Sequence, residues 1–213
     1  MRFPLAVLSI LEIPHPLLRR KARKVRSIDS DLLKLAYDMV DTMKDAGGVG
    51  LAANQVGSLS RVIVIQLPCE EEARIYINPE IVHREGERKV EEGCLSIPGY
   101  RGNITRSIWI KFRGMDYLSN MVRFKANEMF SQALEHEVDH LNGILYSDHL
   151  KDHEKLFAID LDREKSSIKQ SSANPEVKAC GPKDDATSRI HPDINDAERV
   201  MDIRETSASL KVK

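Results

Sequence analysis

The sequence predicts a fold of mixed helix and strand, in which short strands joined by turns lead directly into a helix that carries the chemistry. Three observations support it. Residues 61–67 and 107–112 are strand-length runs rich in β-branched or aromatic side chains, and the second is followed by turn residues at 114–120 and a return strand at 121–124. Leu32, Leu33, Ala36, Met39, Val40 and Met43 recur at helical spacing. The stretch containing His136-Glu-Val-Asp-His140 is bracketed by Asn127 as N-cap, Glu128 in the first turn and Gly143 as the residue that follows the helix.

Taken in order, residues 1–11 are apolar. They offer only Arg2 as a basic leader and no small-residue cleavage site, and Glu12 and Pro14-His-Pro16 follow at once, so they read as a first strand rather than a signal peptide. Residues 17–26 are basic with scattered apolar side chains, a solvated face. Asp29 or Ser30 caps the first helix, which ends near Ala46 before Gly47-Gly48. The glycine-rich segment 48–57 is either a tight packing turn or a place where backbone approaches a ligand closely. It is not a phosphate loop, because no strand precedes it and no Gly-Lys-Ser/Thr ends it. Pro68 ends the strand at 61–67. A short strand at 75–78 follows, then a hairpin over 80–90 turning near Glu85-Gly86, then a shaped, irregular segment at 91–99.

With 213 residues the chain has room for one domain with a sizeable core plus an appendage. Its 32 basic and 33 acidic side chains give no reason to expect nucleic acid or an anionic membrane as the main partner. Three widely spaced cysteines do not form a disulfide framework and fit a reducing compartment. No stretch approaches the roughly 20 apolar residues of a membrane span, so a soluble, cytoplasmic protein is expected. From about Glu164 periodicity is lost, and residues 164–213 hold nine basic and nine acidic side chains. This divides the chain into a catalytic domain at 1–163 and a polar extension at 164–213, expected to be mostly disordered with a short helix near 193–205. Cys180 falls in it as a bystander. Cys69 sits among Glu70, Glu71 and Glu72, which disfavour a thiolate.

On a helix His136 and His140 share one face, one turn apart, where both can reach one metal ion. Glu137 lies about a third of a turn round and can face a water on that ion without ligating it. Met129 and Ala133 continue the stripe of the two histidines, which places the pair on an apolar face. Two histidines on a helix can also be ordinary surface residues. Cys94, in a segment shaped by Gly93, Pro98 and Gly99, is either a buried inert thiol or a third ligand. A thiolate with two imidazoles leaves a tetrahedral ion one open position, the requirement for catalysis. With a metal nearby, the Gln55 amide N–H could donate to a developing oxyanion.

Gly48-Val-Gly-Leu-Ala-Ala-Asn-Gln55, Glu92-Gly-Cys-Leu-Ser96 and His136-Glu-Val-Asp-His140, in that order, closely resemble the three motifs of the peptide deformylases. The resemblance runs from about Leu8 to about Leu150 and takes in Asn78-Pro79 and Arg101 and Arg106. It implies an α+β fold with small antiparallel β-sheets around a central metal-binding helix. It further implies Cys94, His136 and His140 as ligands of one divalent ion, iron(II) by preference, with zinc, nickel or cobalt as substitutes. Glu137 would be general base and then general acid, and Gln55 with the Leu95 backbone N–H would stabilise the oxyanion. Val49, Gly50, Glu92, Gly93, Met129 and Ala133 would contact the substrate, an N-formylmethionyl nascent peptide losing formate. By analogy the enzyme would work near the ribosomal exit tunnel. No direct readout of nucleic acid and no membrane partner are expected.

The chain departs from the family pattern at Glu135, where glutamine is usual, at Gln132, where an apolar residue is usual, and at Glu128, where glycine is frequent. These leave a divergent, weakly active metalloprotein as an alternative. A zinc endopeptidase is another, although Tyr146 stands where the extended His-Glu-x-x-His pattern needs histidine and a ligand such as Glu154 would have to replace Cys94.

Overall fold

A computed structural model describes residues 6–68, 70–151 and 156–159. Helix α1 spans Ser30–Asp45, and the Asp29 side chain accepts a hydrogen bond from the Leu32 N–H at 2.9 Å, so Asp29 is the cap. Among the described residues eight strands follow, β1 (Gly50–Ala52), β2 (Val62–Ile65), β3 (Arg74–Glu85), β4 (Arg88–Cys94), β5 (Ile97–Arg106), β6 (Trp109–Met115), β7 (Met121–Asn127) and β8 (Phe157–Ala158). Helix α2, Glu128–Leu141, enters directly from β7.

The strands make two antiparallel sheets, one ordered β1-β2-β3-β6-β7 and one ordered β4-β5-β8. The architecture is α+β, with α2 packed across β1, β2 and β7. The unbroken Val-Ile-Val-Ile of β2 has a reason in this packing. Val62 and Val64 belong to the core under α1, with Met39, Met43, Ile75 and Ile77. Ile63 and Ile65 belong to the core under α2, with Phe112, Leu134, Val138 and Leu141. A strand covered on both faces must be apolar at every position. A third core, of Leu18, Val90, Ile97, Ile104, Leu145 and Tyr146, backs the smaller sheet.

Three sequence expectations are corrected. Residues 6–12 form no strand; the Leu8 N–H donates to Thr42 Oγ1 and the Leu11 N–H to the Gln55 carbonyl, single bonds to two different elements that make no ladder. Residues 80–90 are not a hairpin. The chain turns at Gly86 (φ 68°) as expected, but β3 pairs with β2 and β6 while β4 pairs with β5, so the turn carries the chain from one sheet to the other. The segment at 91–99 is largely regular, with β4 and β5 meeting at Leu95-Ser96 and a register shift between Gly93 and Cys94.

Helix α2 starts at Asn127, whose side chain makes no capping bond, and its first residue Glu128 has φ 50°, a left-handed backbone that suits glycine. Gly143 ends it at φ 78°, where a Cβ would lie 2.5 Å from the Arg19 carbonyl oxygen. The expectations for Cys69, Cys180, Glu154 and the extension 164–213 fall outside the described residues.

Candidate metal centre

Helix α2 presents His136 and His140 on one face, and the end of β4 brings Cys94 to them. Cys94 Sγ lies 3.1 Å from His140 Nε2, which lies 3.2 Å from His136 Nε2. The three donor atoms all fall within 4.8 Å of one another, so they could hold one metal ion, and they are the one such group found among the described residues. A close set of soft sulfur and imidazole nitrogen is the donor chemistry of zinc and iron sites.

The ring orientation fits ligation as well. His136 Nδ1 lies 2.5 Å from Glu92 Oε1. Burial alone would raise the Glu92 carboxyl, but His136 and Arg106 together bring it down to about 2. An ionised carboxylate only accepts, so Nδ1 carries the hydrogen and Nε2 faces the other donors. Burial alone would lower the His136 imidazole, yet Cys94 and Glu92 on its two sides raise it well above its ordinary value, marking a position that favours positive charge. Burial and the neighbouring His136 push His140 well below, which keeps its ring neutral.

Glu137 is buried, and its Oε2 has no hydrogen-bond partner among the described residues. Burial pushes its carboxyl up to about 7. The carboxylate reaches its place because Gly50 has no side chain: a Cβ there would meet Glu137 Oε1 at 2.4 Å. Gly48 is crowded likewise by Leu95 Cδ1 at 2.8 Å, so the glycine-rich segment and the β4–β5 turn close on each other. The Gln55 amide is held at both ends. Its Oε1 accepts from the Ala52 N–H at 2.8 Å, which turns Nε2 toward Ser96 Oγ at 3.1 Å and Cys94 Sγ at 3.7 Å. The Ser96 N–H lies 3.3 Å from the same sulfur.

Of the residues expected to contact substrate, Val49, Gly50 and Gly93 lie on or beside β1 and β4, each an edge strand of its sheet. Met129 is 51 % exposed and Ala133 half-buried on α2. Glu92 is placed differently. It is buried, with Oε1 shared by His136 and Arg106 and Oε2 taken by Arg106, so it stands behind a histidine instead of lining an open surface.

Sequence reasoning missed the buried charges around that histidine. Arg106 Nη1 donates to Asp139 Oδ2 at 2.5 Å, and His149 Nε2 lies 2.8 Å from the same oxygen. The signal was available: Gly102, Ile104 and Arg106 share the buried face of β5, and an arginine there requires acidic partners. The departures from the family pattern also find partners. Glu135 is buried and accepts from the Ser107 N–H (2.9 Å), Ser107 Oγ (3.0 Å) and Arg84 Nε (2.9 Å). Gln132 Nε2 donates to the Glu91 carbonyl at 3.1 Å, and Arg88 bonds the Glu128 carbonyl.

Residues 7–156 match the family of polypeptide deformylases. The chain is 48 % identical over 160 residues to a peptide deformylase of Dehalococcoides mccartyi, covering 75 % of this chain and 96 % of that protein. It is similar to the crystal structure of a peptide deformylase from Legionella pneumophila, with a TM-score of 0.67, 35 % identity and coverage of 79 % of this chain and 98 % of that one. It is similar too to a Met-Ala-Ser-bound peptide deformylase from Acinetobacter baumannii, with a TM-score of 0.65, 32 % identity and coverage of 68 % and 99 %.

Proposed function

The chain belongs to the polypeptide deformylase family, and from that membership we propose that Cys94, His136 and His140 hold its metal ion and that Glu137 carries the proton its hydrolysis moves. The enzyme removes the formyl group from the N-terminal formylmethionine of newly made polypeptides and releases formate. The observation that carries the residue assignment is the convergence of three donor atoms beside a buried carboxylate whose Oε2 lacks a partner among the described residues.

A divalent ion, iron(II) by preference with zinc, nickel or cobalt as substitutes, supplies when bound a water acidic enough to react near neutral pH and a positive charge for the carbonyl oxygen. The rest falls to the chain. Glu137 accepts a proton from the attacking water at its carboxylate and delivers it to the departing amine nitrogen; a carboxyl held near 7 can do both. Gln55 Nε2–H, fixed by the bond from Ala52, donates to the oxyanion on the formyl carbon, and the Leu95 backbone N–H donates beside it. The open edges of β1 and β4 receive the peptide as an added strand, with Val49, Gly50 and Gly93 offering backbone. Met129 and Ala133 flank the methionine side chain. Glu92 orients His136 instead of touching substrate.

The catalytic domain is assigned to 1–163 and the extension to 164–213. The setting is a bacterial-type cytoplasm, with nascent chains met near the ribosomal exit; no helix among the described residues is long and apolar enough to cross a membrane. Replacing Glu137 by alanine tests the assignment. The variant should keep its metal and lose nearly all turnover, by about 10²–10⁴-fold for loss of a general base. A metal-free Glu137→Ala protein would make Glu137 a structural residue.

A further inference from the structure

Glu92 and Asp139 are two buried carboxylates facing one buried guanidinium, that of Arg106. Arg106 gives Nε and Nη2 to Glu92 at 3.1 and 2.7 Å, and Nη1 to Asp139 at 2.5 Å. One positive charge between two negative ones leaves the cluster short of donors, and each carboxylate makes up the shortage with one imidazole. For Glu92 it is His136, at 2.5 Å; for Asp139 it is His149, at 2.8 Å. The arrangement is a chain of contacts, His149–Asp139–Arg106–Glu92–His136, in which every link joins an N–H to a carboxylate oxygen.

Its two ends differ. His136 stands at the metal centre with its side chain 10 % exposed, whereas the His149 side chain, on the 3-10 turn Tyr146–His149, is 34 % exposed. Asp139 Oδ2 already accepts from the Arg106 guanidinium at 2.5 Å, and a carboxylate paired in this way only accepts. His149 Nε2 must therefore carry the hydrogen, and it shares Oδ2 with Arg106 Nη1, 3.4 Å away. That contact restricts where the Asp139 oxygen sits. The oxygen fixes one arm of a rigid planar fork whose other two N–H groups set the Glu92 carboxylate, and Glu92 in turn sets the His136 ring.

We propose that His149 is a positioning residue for His136, acting from the protein surface through Asp139, Arg106 and Glu92. The proposal rests on His136 being a ligand. Among the described residues, Asp148 of the same turn and Arg19, which pairs with it, also lie near His149, and neither bonds to the chain of contacts.

The test measures the zinc affinity of the full-length protein by competition with a chromogenic chelator, and kcat and KM for formyl-Met-Ala-Ser on the metal-loaded enzyme. The variants are His149→Ala, His149→Gln and His136→Ala. Direct partners of a metal-ligating histidine are worth about 10–100-fold in affinity or activity. Through three intervening groups, His149→Ala should weaken zinc binding about 3–10-fold and lower kcat by a similar factor, with KM unchanged. His149→Gln keeps an N–H donor near the same place and should recover most of both. Should the alanine variant fail to fold, His149→Asn, too short to reach Asp139, replaces it. Zinc affinity and kcat within twofold of the parent in His149→Ala would overturn the proposal, as would a loss that glutamine does not repair. If His136→Ala binds zinc like the parent, the ligand assignment itself is wrong, and the two failures are thereby told apart.

Discussion

Replacing Gly50 by alanine separates the placement of Glu137 from its chemistry. The added Cβ would stand 2.4 Å from Glu137 Oε1 and 2.9 Å from its Cγ and Cδ. To reach a tolerable contact the carboxylate must retreat by roughly 0.6–1 Å, since carbon and oxygen repel steeply below about 3–3.4 Å. A carboxylate at the end of a side chain can swing away more easily than backbone can move. The fold should therefore lose at most about 1–3 kcal/mol, the ordinary cost of an extra methyl group in a packed place. Catalysis has no such escape, because a displacement near 1 Å in a reacting group costs on the order of 10²-fold. That factor corresponds to about 2.7 kcal/mol of transition-state stabilisation. The assay is formate release from formyl-Met-Ala-Ser under saturating substrate, with metal content and melting temperature measured on the same preparation. A metal-loaded, folded Gly50→Ala protein within fivefold of the parent kcat would refute the reasoning, since Glu137 would not need the place that Gly50 leaves for it.

Glu128→Gly should stabilise the protein by up to about 1 kcal/mol, because Glu128 holds φ 50° and glycine adopts that backbone without strain; a lowered melting temperature would show that the ion pair of its carboxylate with Arg88, 3.5 Å, outweighs the strain. Glu135→Gln turns an amide N–H toward Arg84 or Ser107 in place of an acceptor, so denaturant unfolding should show a loss of about 1–3 kcal/mol. No loss would mean that the amide is accommodated as well as the carboxylate. Deleting residues 167–213 should leave activity and melting temperature nearly unchanged if the catalytic domain is 1–163, and a large fall in either would move that boundary.

The metal centre was legible in the sequence because its information is local. His136 and His140 share a helix face through a spacing of four, and the glycine-rich, cysteine-bearing and histidine-bearing segments are each short enough to read whole. Strand partnership is not local. The run at 80–90 carries every mark of a hairpin, including a glycine at the turn, yet β3 finds its register with Arg113, Phe112 and Lys111 of β6, some 30 residues away. Nothing within the run distinguishes the two outcomes. The composition of the apolar opening segment predicts a strand, but strands need a partner edge, and Leu8 and Leu11 bond to two different elements, the Thr42 hydroxyl and the Gln55 carbonyl. The buried charges were hidden for a different reason. Glu92, Arg106 and Asp139 are residue types that usually face water, and only the packing of β4, β5 and α2 shows that they face one another.

The most direct test of the central claim is formate release from formyl-Met-Ala-Ser by protein purified without oxygen and loaded with iron(II), compared with its Cys94→Ala variant. Release by the parent that falls to background in the variant, together with loss of bound metal, is the predicted result. A variant that keeps both its metal and its turnover would remove Cys94 from the ligand set. An iron-loaded, folded parent that releases no formate would contradict the assignment of the site.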